Sequence, residues 1–244
     1  MNASDAIAEV EGDYHERLQF ETMLADLSAL FIRLPVDEVD GAIEDAQRRI
    51  CECLDIDVSS LWQLSEDHFE TMFLTHYHLP PDFPPVPGVM DAREVSPWSL
   101  EKILNHETVV VPRVHDAPPA AERDRALWEH YGMRSVLTLP LAVGGEAPFG
   151  ALHFGVTREE RAWSPNLVGR LRLVAQIFAN TLSRKRADQD LKESEARVTL
   201  AVDAADLAAP VDSIQFCFSK SLGAPVGSMI CGSQEFVHEA RPVR

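Results

Sequence analysis

Two alternating segments on either side of a glycine pair, Ser135–Val143 (SVLTLPLAV) and Phe149–Val156 (FGALHFGV), constrain this chain more than any other feature. A period of two on both sides of Gly144-Gly145-Glu146 predicts an antiparallel hairpin, because a glycine turn lets the chain reverse onto its own ladder. Leu137, Leu139 and Leu141 then share one face, with Val136 and Thr138 on the other. In the partner strand Leu152, Phe154 and Val156 form the heavy face and Ala151 and His153 the light one. The heavy face is apolar enough to be covered by helices. The light face carries small and polar groups suited to a cavity wall.

The flanking sequence supplies those helices. Residues 16–34 repeat Leu18, Leu24, Leu27, Leu30, Phe31 and Leu34 at helical spacing, and Pro35 ends the run. Asp37 is placed to cap a second helix over residues 38–54, with Val39, Ile43, Ala46, Ile50 and Cys53 as its buried stripe. Val58–Leu64 and Phe69–Tyr77 return to strand periodicity and predict a second hairpin. Residues 80–97 hold six prolines (80, 81, 84, 85, 87 and 97), which predicts a long surface loop that cannot pair in a sheet. A loop of that length inside a compact domain is usually functional or mobile. Ser96-Pro97-Trp98 starts a short helix to about Asn105, with the serine as its cap and the proline in its first turn, and Thr108–Val114 reads as an edge strand because Pro112 lacks a ladder donor. Glu122–Tyr131 is a further short helix, stopped by Gly132.

Trp163-Ser164-Pro165 opens the last helix, in which Leu167, Leu171, Val174 and Phe178 follow a 4-3-4 spacing like coiled-coil a and d positions. The seam continues through Leu191, Val198 and Ala205, beyond the end of the folded domain. A helix with an apolar seam and no domain to cover it calls for a partner strand, so a homodimer through residues 165–208 is expected.

Formal net charge is −17, and all of the acidity lies before residue 210: the last 35 residues balance Lys220, Arg241 and Arg244 against Asp212, Glu235 and Glu239. An acidic surface argues against non-specific binding to nucleic acid or anionic membrane. Cys51 and Cys53 stand two apart on a helix, so their side chains diverge too far to share a metal, and Cys217 and Cys231 complete no CxxC pair. His76-Tyr77-His78 sets two histidines on one strand face without a third ligand at suitable spacing, so no metal is expected. The N-terminus lacks a basic start and an apolar stretch, and no run is long enough to span a bilayer, so a cytoplasmic protein is expected.

The run Gly132-Met133-Arg134-Ser135 through Pro140-Leu141, then Gly144-Gly145 and Phe149-Gly150-Ala151-Leu152-His153-Phe154-Gly155, is similar to the GAF domains of bacterial sensor histidine kinases. Residues 183–208 resemble the linker that enters a PAS domain in those proteins. The resemblance implies an α+β fold, an antiparallel sheet flanked by helices over residues 15–182, a helical signalling linker over 183–208, and small-molecule sensing without catalysis. GAF domains bind cyclic nucleotides, tetrapyrroles, haem, small metabolites or nothing detectable. The spaced Asn-Lys-Phe-Asp-Glu set of the cyclic-nucleotide binders is not visible here, and no cysteine falls in the long loop where a bilin would attach. Candidate pocket residues are His76, Tyr77, Thr138, Ala151 and His153, with Trp98 as a lid; for the strand histidines and tyrosine, plain packing is the competing role.

At Pro210 the chain changes character. Residues 211–218 (VDSIQFCF) are strand-like, and Phe216-Cys217-Phe218-Ser219-Lys220-Ser221-Leu222-Gly223-Ala224-Pro225-Val226-Gly227-Ser228, with Cys231-Gly232-Ser233, closely resembles the Schiff-base segment of low-specificity threonine aldolases. By that resemblance Lys220 is the lysine that holds pyridoxal phosphate, although the family has glycine where Ser221 stands. The family's phosphate-binding loop, its aspartate on the pyridine nitrogen and its substrate arginine lie mostly upstream, in sequence replaced here by the GAF-like part. Residues 210–244 are therefore expected to be a truncated fragment without a working lyase site. Thirty-five residues are also too few to bury a core of their own.

Overall fold

The computed structural model describes residues 3–65, 70–208, 213–217 and 228–232, with side chains described over 18–65 and 70–196. Two long helices, α1 (Ala3–Arg33) and α6 (Pro165–Ala208), bracket the stretch of sequence that forms the main sheet. Between them run α2 (Val39–Leu54), β1 (Val58–Leu64), β2 (Thr71–His78), β3 (Val89–Asp91), α3 (Ala92–Val95), α4 (Pro97–Leu104), β4 (Val109–Val111), α5 (Glu122–His130), β5 (Ser135–Leu141) and β6 (Gly150–Val156). The strands form one antiparallel sheet in the order β3-β2-β1-β6-β5-β4. The chain divides into two units, Met1–Lys185 and Arg186–Arg244. In the second unit β7 (Ser213–Cys217) pairs antiparallel with β8 (Ser228–Gly232).

The β5–β6 hairpin forms as its alternation dictates, with Leu137 opposite Phe154 and Leu139 opposite Leu152. Its turn holds Gly144 and Gly145 at φ of 61° and 84°, a left-handed conformation that residues with a Cβ resist. Leu137, Leu139, Leu141, Leu152 and Phe154 are fully buried against Phe20, Leu27, Ile43, Ile50, Leu171 and Phe178 from α1, α2 and α6. The 4-3-4 seam of Leu167, Leu171, Val174 and Phe178 thus packs on the chain's own sheet, and its burial in the domain core leaves none of it for a second copy. Ser164 caps α6, its Oγ accepting the backbone N–H of Leu167 at 3.2 Å.

Three local expectations are corrected. Asp37 sits inside a one-turn 3-10 helix, Val36–Glu38, and α2 starts after it with no side-chain cap. The proline-rich stretch does enter the sheet: Val89–Asp91 pairs with Thr71–Phe73, because Pro87 and Pro97 leave this tripeptide its ladder donors and it pairs only at an edge. Ser96 precedes α4 without a side-chain cap bond. The cap comes instead from Asp124 of α5, whose carboxylate accepts the N–H groups of Trp98 at 3.1 Å and Ser99 at 2.8 Å.

Candidate functional site

The face of the sheet away from α1, α2 and α6 is the light face of the hairpin, and it walls a cavity. Thr138, Gly150, Ala151 and His153 come from β5 and β6, and Val58, Ser60, Trp62 and Leu64 from β1. The opposite wall is built by Ser99, Leu100 and Ile103 of α4, by Leu127 and Trp128 of α5, and by Phe83, Val86 and Met90 of the proline-rich stretch. The space is about 130 Å³ and partly open. A closed apolar cavity of about 150 Å³ stays dry and accepts benzene, which sets the scale.

Two glycines make room on that face. A Cβ on Gly150 would stand 2.3 Å from the backbone oxygen of Trp62, so β6 and β1 approach there as only glycine allows. A Cβ on Gly155 would stand 2.4 Å from the Met133 sulfur, so Gly155 is the notch into which this methionine, itself part of the lining, packs.

Among the described residues, no Asp, Glu, Lys, Arg or Cys belongs to the lining. Its polar groups are hydroxyls, an indole and one imidazole. Trp62 Nε1 donates to Ser60 Oγ at 3.0 Å, and His153 Nδ1 lies 2.9 Å from Thr138 Oγ1. Burial pushes the His153 imidazole down to about 4, so it is neutral at physiological pH. The Ser99 Oγ is buried without a hydrogen-bond partner.

Of the residues singled out from sequence, Thr138, Ala151 and His153 line the cavity, whereas His76, Tyr77 and Trp98 are not among its lining residues. The reason for His76 is a β-bulge. Leu61 pairs with His76 and Trp62 with Leu74, so Thr75 has no opposite residue and the phase of β2 reverses across it. His76 therefore falls on the helix side, 3% exposed, while Tyr77 is 51% exposed. Trp98 packs behind the wall, edge-on to Trp128 with ring centroids 6.4 Å apart.

His76 instead joins a polar chain running from the sheet to the final helix. Gln63 Nε2 donates to Thr75 Oγ1 at 3.0 Å, and His76 Nδ1 is 2.9 Å from the same oxygen. His76 Nε2 then lies 3.0 Å from Asp40 Oδ1 at the start of α2, and Lys185 Nζ of α6 donates to that oxygen at 2.6 Å. Burial alone would raise the Asp40 pKa, but the Lys185 and His76 hydrogen bonds prevail and hold it below the ordinary carboxylate value. The neighbouring Arg184 donates to the carbonyls of Phe31, Ile32 and Leu34, which gives the C-terminal end of α1 the partners that helix carbonyls lack.

Cys51 and Cys53 of α2 are away from the cavity, and burial pushes the Cys51 thiol up to about 12, so it is not a nucleophile. Lys220 lies outside the described residues. The described strands of that unit, SIQFC and SMICG, contain no arginine or aspartate that would suit pyridoxal phosphate.

The GAF domain family model matches residues 38–182, more than half of the sequence, and the chain belongs to the GAF domain family. The Beta-eliminating lyase model matches residues 180–244. Over 49 residues the chain is 51% identical to low-specificity L-threonine aldolase 1 of Arabidopsis thaliana, covering 20% of this chain and 14% of that protein. Among solved structures, the chain is similar to the phycocyanobilin-bound GAF domain of a cyanobacterial phytochrome. That match has a TM-score of 0.58 and 15% identity over 69% of this chain and 96% of the other. It is also similar to free methionine-R-sulfoxide reductase of Neisseria meningitidis in complex with its substrate, with a TM-score of 0.52 and 15% identity over 69% and 91%. At these identities the likeness is one of fold. The sequence-based GAF and threonine-aldolase resemblances are thus both found, and the fold is the expected α+β sheet flanked by helices. Among the described residues, no helix is long and apolar enough to cross a membrane.

Proposed function

We propose that the GAF domain is a non-catalytic sensing module whose cavity takes a small molecule and whose occupancy is passed to α6. The observation that carries this reading is the cavity on the light face of the sheet, walled by two glycine-permitted close approaches and capped by α4 and α5. The ligands printed for GAF relatives, a bilin and a reductase substrate, support a small molecule as the cue. The lining supports a non-catalytic role. The Thr138–His153 pair has the outline of a nucleophile and base, but an imidazole held near 4 is a weak base at neutral pH. A covalent thioether to a bilin would require a cysteine that the lining does not include.

Transmission rests on the polar chain. Movement of β1 on filling the cavity shifts Gln63, and through Thr75, His76 and Asp40 it alters the anchor of Lys185. Two anchoring arrangements that differ in affinity for the ligand make the response a population shift. The methionine methyl groups report cavity filling directly, and their response to a titrated small molecule tests the reading.

The homodimer through residues 165–208 belongs to the same proposal, with its contact face revised. With Leu167, Leu171, Val174 and Phe178 buried, the exposed large apolar residues described on α1 and α6 are Leu18, Leu30, Ile32, Leu173 and Leu191, with Ile32 at 73% the most exposed. Phe31, Ile32, Ile177 and Thr181 line a groove between α1 and α6. Sedimentation velocity of the full chain is expected to give twice the monomer mass, shifting toward the monomer in Leu173→Glu. A monomer at all concentrations would remove the dimer. The resemblance of the Gly132–Leu141 run to sensor-kinase GAF domains supports a place in that class of signalling protein.

A further inference from the structure

We infer that the cavity is selective for an uncharged molecule built on a single aromatic ring and bearing one hydroxyl group. The inference rests on the sensing reading above and deepens it.

Charge is excluded first. A charged group moved from water into a site without a counter-charge loses its hydration and regains nothing, at a cost of several kcal/mol. Among the described residues, the lining holds no acidic or basic side chain other than His153, which burial keeps neutral, and Tyr131, whose phenol is raised further from ionisation by burial. Phosphates, carboxylates and ammonium groups therefore find no partner there.

Ring character follows from what the wall presents. Trp62, Phe83, Trp128 and Tyr131 supply aromatic surface, and Phe83 stacks on Tyr131 with centroids 5.7 Å apart and 9° between planes, so the two rings present parallel faces. Met72, Met90 and Met133 add three thioethers, whose sulfurs favour aromatic edges and whose flexible chains adjust to a ring's outline. The enclosed space of about 130 Å³ holds about one ring, and anything larger would extend out of the open side.

The hydroxyl follows from Ser99. Its Oγ is buried in the α4 wall with no partner, while the other lining polar groups with described bonds, Ser60 with Trp62 and Thr138 with His153, already satisfy one another. A buried hydroxyl without a partner is rare in a native structure unless something else fills the role. A ligand hydroxyl meets it as donor or acceptor, and the two-way character of both groups makes the pairing insensitive to orientation.

The test uses the full chain and four single-ring probes at neutral pH: phenol, benzene, benzoate and benzylammonium, titrated by calorimetry. Phenol is expected to bind about 3- to 10-fold tighter than benzene, the factor of one neutral hydrogen bond. The two ions are expected to bind at least about a hundredfold weaker than phenol, from their uncompensated desolvation. In Ser99→Ala the preference for phenol disappears while benzene binding is unchanged, and Ala151→Leu, which fills the cavity, weakens both. Benzoate or benzylammonium within tenfold of phenol would overturn the neutral class and leave the cavity reading standing. A phenol preference that survives Ser99→Ala would overturn the hydroxyl assignment. Failure of all four probes, or binding indifferent to Ala151→Leu, would overturn the inference and the cavity reading together.

Discussion

Asp124→Ala is expected to lower the free energy of unfolding by about 2–4 kcal/mol. Asp124 is fully buried, and both of its carboxylate oxygens accept backbone N–H groups at the first turn of α4, from Trp98 and Ser99. The negative charge there also meets the positive end of the helix. Removing the side chain leaves two donors unpaired in a place that water reaches poorly, and α4 loses its anchor to α5. That helix carries Ser99, Leu100 and Ile103 into the cavity wall, so the variant is also expected to weaken any cavity ligand. Asp124→Asn keeps one acceptor oxygen and is expected to lose about half as much. Urea unfolding of the three proteins measures this, and an Asp124→Ala midpoint equal to that of the parent chain would show that α4 does not depend on the cap.

Gly150→Ala is expected to cost about 2–3 kcal/mol, although it adds only one methyl group. The obstacle is the backbone oxygen of Trp62 at 2.3 Å from the added Cβ, and a backbone atom inside a central strand pair cannot turn aside. β1 and β6 must separate, which strains the ladder that runs from Val58 opposite Gly155 to Gln63 opposite Gly150. Gly155→Ala provides the contrast. Its obstacle is the far end of the Met133 side chain, which can swing into the cavity, so a cost of about 1 kcal/mol or less is expected. The order of the two variants in thermal unfolding is the decisive observation. Equal costs would mean that the close approach of β1 and β6 does not limit the fold.

What was legible in the sequence was local periodicity. The β5–β6 hairpin could be drawn from its alternation and its glycine turn, down to the face on which Thr138, Ala151 and His153 stand. The first error arose where periodicity breaks without a signal: no residue type announces the bulge at Thr75, yet this one unpaired residue moves His76 from the cavity side to the helix side. A second arose because the same spacing serves two purposes. Leu167, Leu171, Val174 and Phe178 suit a coiled coil and suit a helix lying on a sheet equally well, and only the presence of that sheet decides between them. The third concerns long range. Asp124 and Arg184 act on helix ends at Trp98 and Phe31, far away along the chain, and a capping residue can be recognised from sequence only when it is adjacent. Ser99 escaped for the same reason, since an unpaired hydroxyl is recognised only from what fails to surround it.

The threonine-aldolase resemblance is real in sequence and narrow in extent, and the chain spans 14% of the length of that relative. Its lysine, Lys220, is a recognisable position whose usual companions are not found in the described strands beside it. The sensing function proposed here therefore rests on the GAF domain.

The most direct measurement of that claim is the NMR spectrum of the methionine methyl groups during a phenol titration of the full chain. Met72, Met90 and Met133 line the cavity, while Met23 lies in the core on the other side of the sheet. The expected result is a saturable shift of the three cavity methyls, from ring currents at close range, with Met23 unmoved. Cavity methyls that stay in place at saturating phenol, or a shift confined to Met23, would contradict the account.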